Sequence, residues 1–454
     1  MCDNYIWTTR SISKATIIIG IHFVVFFFSI LLSENYNYIS SILLICWSIC
    51  TYIFHEKKTD DIIDPVAVFS GIWIFSVGLA QLRLSKLQTP WLISVWLTFM
   101  LVPIIFWLTF SITQNKLLKK NNKMPIALSH WKKKHKYARL LILFGFFCLI
   151  LLILQYQIKG YFPAFTKDVK ARFDFYTKLI MLIVGTQAFI PMIIKCLYEN
   201  KIKMWEKNLL LLASIIIFSS TILRVSRGDS LITAIIAIPI LVKCLENKYI
   251  NKYDVKKGKQ RFNKKIIRLL FLVIGLFVIS SSLRADNATD LKSAFLLPNF
   301  NNKLLDSKFF SYFYIYIANG IENFNFEVAN CKVFSNGLRQ LSPIAPFFPA
   351  LKETINSLPK YVTAYSTTTC IIKDFYLDFG YFGVFGGMIL FGMLIGFTHY
   401  LFLTSNDIMV SSLYGIGFSM CVLCFFDAWL SFFTIWLLYG FVFFIWFLHK
   451  LKLY

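Results

Sequence analysis

The sequence is short of acid, of histidine and of phosphate-binding signatures. Aspartate and glutamate number 23 in 454 residues, against 47 lysines and arginines. No GxxxxGK[ST] run is present to cradle phosphates, and no GxGxxG turn opens a dinucleotide unit, so no nucleotide cofactor is expected. Cys421-x-x-Cys424 has metal or redox spacing but lies in an apolar stretch without a second ligand pair, and reads as packing; no metal is expected. No internal repeat relates one half of the chain to the other. No small-x-small cleavage site closes the first apolar run, Ala15 to Ser33, which therefore reads as a retained span rather than a leader.

What the chain has instead is apolar sequence. It is 57% hydrophobic and 18% aromatic, with a mean hydropathy of +0.64. Separate apolar runs long enough to cross a hydrocarbon core lie near residues 15–33, 38–54, 62–82, 91–112, 138–158, 177–197, 207–223, 228–245, 266–282, 381–403, 408–426 and 429–449. The tenth is the one whose start is least sharply marked. The expectation is an all-α polytopic membrane protein of about 12 transmembrane helices, a single integral domain over 1–454 with a large outer loop at about 283–380.

The net charge of +24 is concentrated in three loops: Lys116 to Arg139, Lys201 to Lys207, and Lys248 to Arg268. A twelve-span count puts all three on one side with both termini, and the positive-inside rule makes that side cytoplasmic. No aromatic-interleaved soluble domain accompanies the basic runs, so nucleic acid is not expected as a partner. The same count puts outside Gly160 to Tyr176, the turn Arg224-Val225-Ser226-Arg227-Gly228-Asp229-Ser230, the stretch Leu283 to Tyr365, and the link near Asp427. The long outer stretch is expected to be partly helical over Phe309 to Val328, with Pro343, Pro346, Pro349 and Pro359 breaking any continuation.

The outer side carries positive charge against the general bias, at Arg172, Arg224, Arg227 and Arg284. A charge at bilayer depth costs roughly 2.5–3.5 kcal/mol on insertion scales, and a lipid-linked anion at the outer leaflet would give it a purpose. Arg224 and Arg227 would share a face if their helix ran through both, forming a fork for pyrophosphate; snorkelling to headgroups is the plainer reading. Asp229 either caps the next helix or pairs with an arginine. Tyr161, Phe162 and Tyr376 offer aromatic faces for sugars, and Glu322, Asp374 and Asp378 are the outer carboxylates placed to take a proton. His55, His130, His135, His399 and His449 fall on the cytoplasmic side, so histidine is not expected as an outer base. His22 is alone in the first span and reads as a buried, hydrogen-bonded residue; Asp64-Pro65 reads as an N-cap and first helical turn. Arg83 and Lys86 are expected to face outward to headgroups, and Gly383, Gly386, Gly387, Gly392 and Gly396 mostly to let helices pack closely. Cys331 and Cys370 share the outer side, where a disulfide is open to them.

These features resemble the O-antigen polymerases, bacterial inner-membrane glycosyltransferases. The resemblance rests on the outer loop from Pro163 to Arg172, the Arg224–Gly228 turn, the long outer loop, and Asp378-Phe379-Gly380-x-x-Gly383 leading into a late span. It implies a GT-C-like fold, both termini cytoplasmic, and polymerisation of polyprenyl-pyrophosphate-linked oligosaccharide repeats at the periplasmic face. Donor and acceptor would both be lipid-linked, and membrane lipids and a chain-length regulator would be the further partners. Arg172, Arg224 and Arg227 fit the family's arginine-dependent outer loops best, Arg284 less closely; Asp378 and Glu322 complete the implied catalytic set. A lipid-linked oligosaccharide flippase is the competitor outside the enzymes, but such transporters show paired halves. An O-antigen ligase is the competitor within them, and the lack of an outer histidine counts against it.

Overall fold

The computed structural model describes residues 9–121, 134–166, 178–198, 202–224, 226–249, 265, 308–359, 361, 368–405 and 407–450. The described residues are helical, without a strand. In chain order the helices are α1 (Thr9–Leu32), α2 (Asn37–Thr59), α3 (Pro65–Ala80), α4 (Ile93–Asn121), α5 (Lys134–Lys159), α6 (Lys178–Thr186), α7 (Ile190–Tyr198), α8 (Met204–Leu223), α9 (Arg227–Tyr249), α10 (Lys308–Asn330), α11 (Pro349–Asn356), α12 (Lys373–Thr404), α13 (Ile408–Val422) and α14 (Phe433–Lys450). Among the described residues eight stretches are long and apolar enough to cross a membrane, the one over Leu179–Tyr198 joining α6 to α7, and α3, α13 and α14 are shorter apolar helices. The span expected over 266–282 lies outside the described residues. The chain is therefore a multi-pass helical membrane protein. It divides into two compact units: residues 1–125, 288–403 and 420–433, and residues 126–287, 404–419 and 434–454.

The first unit is built around α3. Asp64 caps it as expected, its Oδ1 accepting from the Ala67 N–H at 2.8 Å with Pro65 in the first turn. Its sequence is apolar on every side, and all but two of its residues are buried. At about 1.5 Å per residue its sixteen residues rise only about 24 Å, less than a full hydrocarbon core. His22 behaves as expected: its Nε2 contacts the Met100 carbonyl at 2.9 Å and its Nδ1 accepts from Trp47 Nε1 at 3.0 Å.

The unexpected core element is α10. The sequence places it in an extramembrane loop as an amphipathic helix, and the structure does make 308–330 helical. However, nearly every residue from Tyr314 to Asn325 is buried, against α3 and α4. Hydropathy could not show this, because Asn319, Glu322, Asn323, Asn325 and Glu327 make the stretch look wet. Four of these side chains meet partners from elsewhere: Thr89 and Trp91 bond Glu322, the Thr368 carbonyl accepts from Asn323, Asn325 donates to Thr89, and Lys373 faces Glu327, whereas Asn319 Nδ2 is buried without a hydrogen bond. Gly320 permits the approach, since a Cβ there would collide with the Phe425 carbonyl.

The helix entering the tenth expected span starts at Lys373, earlier than Tyr381. It breaks at Phe379 (φ −138°, ψ 16°) and Gly380 (φ 62°, ψ −148°) and resumes to Thr404. Gly380 occupies backbone space that only glycine enters readily. Beyond the kink, Gly392 and Gly396 abut Thr109 and Thr113 of α4, the close helix packing expected of them, whereas Gly386 faces open space.

In the second unit α5 and α8 meet where Gly145 lies against Ala213, and the Gly415 backbone of α13 lies against the Ile236 carbonyl of α9. The Ser412 hydroxyl donates to the Ala188 carbonyl at 2.6 Å, and Lys195 Nζ donates to the Asp407 carbonyl at 3.1 Å.

Candidate functional site

In the second unit, Arg224 and Arg227 do not share a helix. Leu223 ends α8, Arg224 is its C-cap, and α9 begins at Arg227. The single continuous helix needed for a shared face is absent because the chain turns at Ser226. Arg224 is 2% exposed. Its Nε donates to the Ser220 carbonyl at 3.0 Å and its Nη1 to Asp229 Oδ2 at 2.9 Å, while Nη2 is buried without a hydrogen bond. Of the two roles open to Asp229, the structure chooses pairing with an arginine. Ser230 closes the turn, its Oγ donating to Thr221 Oγ1 at 2.9 Å. The side chain of Arg227 is outside the description, as are Arg172 and Arg284. Of the loop after α5, the described part ends at Thr166; there Tyr156 stacks on Phe162 at 5.1 Å.

The first unit holds a denser set of charges where α12 begins. Glu327, at the end of α10, is fully buried, and neither carboxylate oxygen makes a hydrogen bond. Lys373 Nζ lies 3.7 Å away. Burial pushes the Glu327 carboxyl up to about 8, with Lys373 pulling the other way. Asp374 follows, half-buried, hydrogen-bonded to Ser431 and within electrostatic reach of Lys373, Arg339 and Asp378. Burial raises Asp427 to about 6; its Oδ1 accepts from the Ala428 N–H at 2.8 Å. Three carboxyls thus share two cations, Lys373 and Arg339, in a poorly solvated setting. Such a group can hold a proton near neutrality and pass it on. Among the described residues no cluster has the make-up of a metal site.

Of the three carboxylates picked out in the sequence, Asp374 belongs to this charged centre, and Glu322 and Asp378 are both engaged elsewhere. Glu322 Oε1 accepts from the Thr89 N–H (2.9 Å) and hydroxyl (3.1 Å), and Oε2 from Trp91 Nε1 at 2.8 Å. It ties α10 to the loop before α4. Asp378 Oδ1 accepts from the Ser335 hydroxyl (2.6 Å) and the Arg339 N–H (3.1 Å), and Oδ2 from the Gln340 N–H (3.0 Å). The kink frees the carbonyls of Leu377 and Asp378, and the N–H groups of Ser335 and Asn336 fill them at 2.9 and 3.1 Å. Arg83 does not simply face outward: it is half-buried, with Glu322 and Glu34 acting on its guanidinium. Cys331 and Cys370 are both free thiols, and Cys370, Cys421 and Cys424 are buried.

Glu327, Lys373 and Asp427 are not legible as a group in the sequence. One signal was available: Lys373-Asp374 stands directly before a long apolar run, where two charges need partners. Their partner on α10 lies 46 residues upstream, and nothing in the local pattern points to it.

Fold and site together define a polytopic helical membrane protein with a buried charged centre at the head of a late span. Residues 353–425 match the family model described as "Putative O-antigen polymerase". The match runs from α11 through α12 to the turn after α13, taking in Lys373, Asp374 and Asp378, and bears out the resemblance over that region. It supports a polymerase-type role in surface-polysaccharide synthesis. Comparison with curated proteins and with solved structures gave no match.

Proposed function

We propose that this protein is a glycosyltransferase that polymerises polyprenyl-pyrophosphate-linked oligosaccharide repeats at the periplasmic face of a bacterial inner membrane, with both termini cytoplasmic. The observation that carries the reading is the coincidence of the family match with the charged centre at the start of α12. The donor brings its own leaving group, so the enzyme's main tasks are to neutralise charge growing on the pyrophosphate and to accept one proton from the acceptor hydroxyl. Arg172, Arg224, Arg227 and Arg284 are proposed for the first task, since arginine forks match phosphate geometry. Arg224 would exchange Asp229 for the anion. Asp374 is proposed for the second. It is half-buried and lies beside Lys373, with Glu327 enclosed nearby to hold the proton. Glu322 and Asp378 are proposed to act by positioning, because every oxygen of both is already held by a donor.

The test is the gel profile of surface polysaccharide from a strain lacking this protein. A polymerase leaves lipid capped with a single repeat in place of a ladder. Loss of all capped lipid refutes the reading: repeats accumulating on the carrier at the cytoplasmic face would mean a flippase, and at the periplasmic face a ligase.

A further inference from the structure

Residues 332–352 form a segment that is inside out for a loop in water. Several of its polar groups turn inward. The Ser335 hydroxyl and the N–H groups of Arg339 and Gln340 converge on Asp378, the N–H groups of Ser335 and Asn336 go to the kinked backbone of α12, and Arg339 Nη2 donates to the Pro359 carbonyl at 2.6 Å. Its apolar groups turn outward. Val333, Leu341, Ile344, Phe347 and Phe348 are all exposed, Phe347 to 69%. Two exposed lysines, Lys332 and Lys352, stand at its ends.

The position of the segment says what covers it. It lies against α12 at the kink: Phe334 packs on Gly380, and Gly337 on Phe379. From the kink to Thr404 the helix runs about 36 Å at about 1.5 Å per residue, which is enough to cross a hydrocarbon core of about 30 Å. The kink therefore sits near one membrane surface. Below it the outward face of α12 is apolar and exposed, through Phe382 (90%), Leu390 and Phe397. The exposed face of the loop continues that lipid-facing strip. Lysines bracketing an apolar stretch are the usual arrangement for interfacial insertion, with the charges at the headgroups and the side chains below them.

We infer that residues 333–348 are a membrane-embedded hairpin, with Leu341, Ile344, Phe347 and Phe348 in the acyl region of one leaflet and Lys332 and Lys352 on anionic headgroups. Asp378 is then a positioning residue: it gathers the polar atoms of the hairpin so that its apolar face can meet lipid. This inference does not depend on the polymerase reading, and it would hold for any enzyme built on this unit.

The test places the photo-crosslinker p-benzoylphenylalanine at Phe347, Phe348, Leu390 or Glu353 in the full chain. The protein is reconstituted in nanodiscs of phosphatidylethanolamine and phosphatidylglycerol and read by intact-mass spectrometry. Leu390, exposed on the span, reports lipid contact; Glu353, exposed on α11 next to Lys352, reports the headgroup level and the water above it. The expected result is lipid adducts at 347 and 348 in yields within about twofold of position 390 and at least about tenfold above position 353. Adducts at 347 and 348 no more frequent than at 353 overturn the inference, and so does cross-linking of one chain to a second copy. A further readout covers the hairpin as a whole: Phe347→Ser with Phe348→Ser should lower the lipid-adduct yield at a probe on Ile344. An unchanged yield there would overturn the joint insertion of the hairpin.

Discussion

Replacing Asp378 by asparagine separates a residue that holds structure from one that performs chemistry. The carboxylate accepts three hydrogen bonds, from the Ser335 hydroxyl, the Arg339 N–H and the Gln340 N–H. Asparagine keeps one carbonyl oxygen, which can still serve Ser335 and Arg339 with neutral rather than charge-assisted bonds. Its amide then faces the Gln340 N–H, donor against donor. Hydrogen bonds to a charged group contribute about 1.5–3 kcal/mol each, so losing one and weakening two should cost about 3 kcal/mol locally. At about 1.4 kcal/mol per tenfold, protection of the amides of residues 335–345 should fall about 100-fold. The assay is hydrogen exchange by mass spectrometry in detergent or nanodiscs, with peptides from α3 as the reference. The α3 peptides should keep their protection, because opening of the loop is local. Unchanged protection of 335–345 would refute the anchoring role. Loss of glycan ladders with full protection retained would mean that Asp378 acts on substrate directly.

Other expectations test the remaining parts. Glu327 has its carboxyl raised from 4.5 to about 8 by burial, so the folded state holds a proton that the unfolded chain releases. Its contribution to stability is full below about 4.5 and is lost as pH rises to about 8. Glu327→Gln mimics the protonated form, so its melting temperature should rise relative to the native protein as pH goes from 5 to 9; parallel curves would show that the group does not titrate in this range. Gly320→Ala should lower the melting temperature by several degrees, since its Cβ meets the Phe425 carbonyl of a packed core; an unchanged value would mean that α10 is not held against residue 425. Arg227→Ala should abolish long glycan chains at unchanged protein abundance, with lysine rescuing poorly because a point charge makes no bidentate fork. Wild-type chain length in the alanine variant would remove Arg227 from the site. Glu322→Gln should loosen residues 82–92 to exchange, because Thr89 bonds one carboxylate oxygen and Trp91 the other, and the amide keeps only one acceptor oxygen; if those residues stay protected, Glu322 is not their tie.

The sequence alone determined that this is a multi-pass helical membrane protein, because runs of apolar residues leave no other way to satisfy the backbone in lipid. Details that depend on neighbours in the chain were legible too: the Asp64 cap and the small-residue packing of Gly392 and Gly396; the break at Gly380 was not. A short-range alternative, Asp229 as cap or as ion-pair partner, was left open and needed coordinates to settle. Only the tertiary structure decided that α10 is core rather than loop. Its polar residues are matched by partners up to 236 positions away, as Asn325 is by Thr89, and no local pattern encodes a partner at that distance. The same holds for the charged centre. Glu327 is one more acid in a polar-looking stretch until folding sets it 3.7 Å from Lys373. Removal from water, which is a property of the packed fold and not of the chain, is what gives that pair its chemistry.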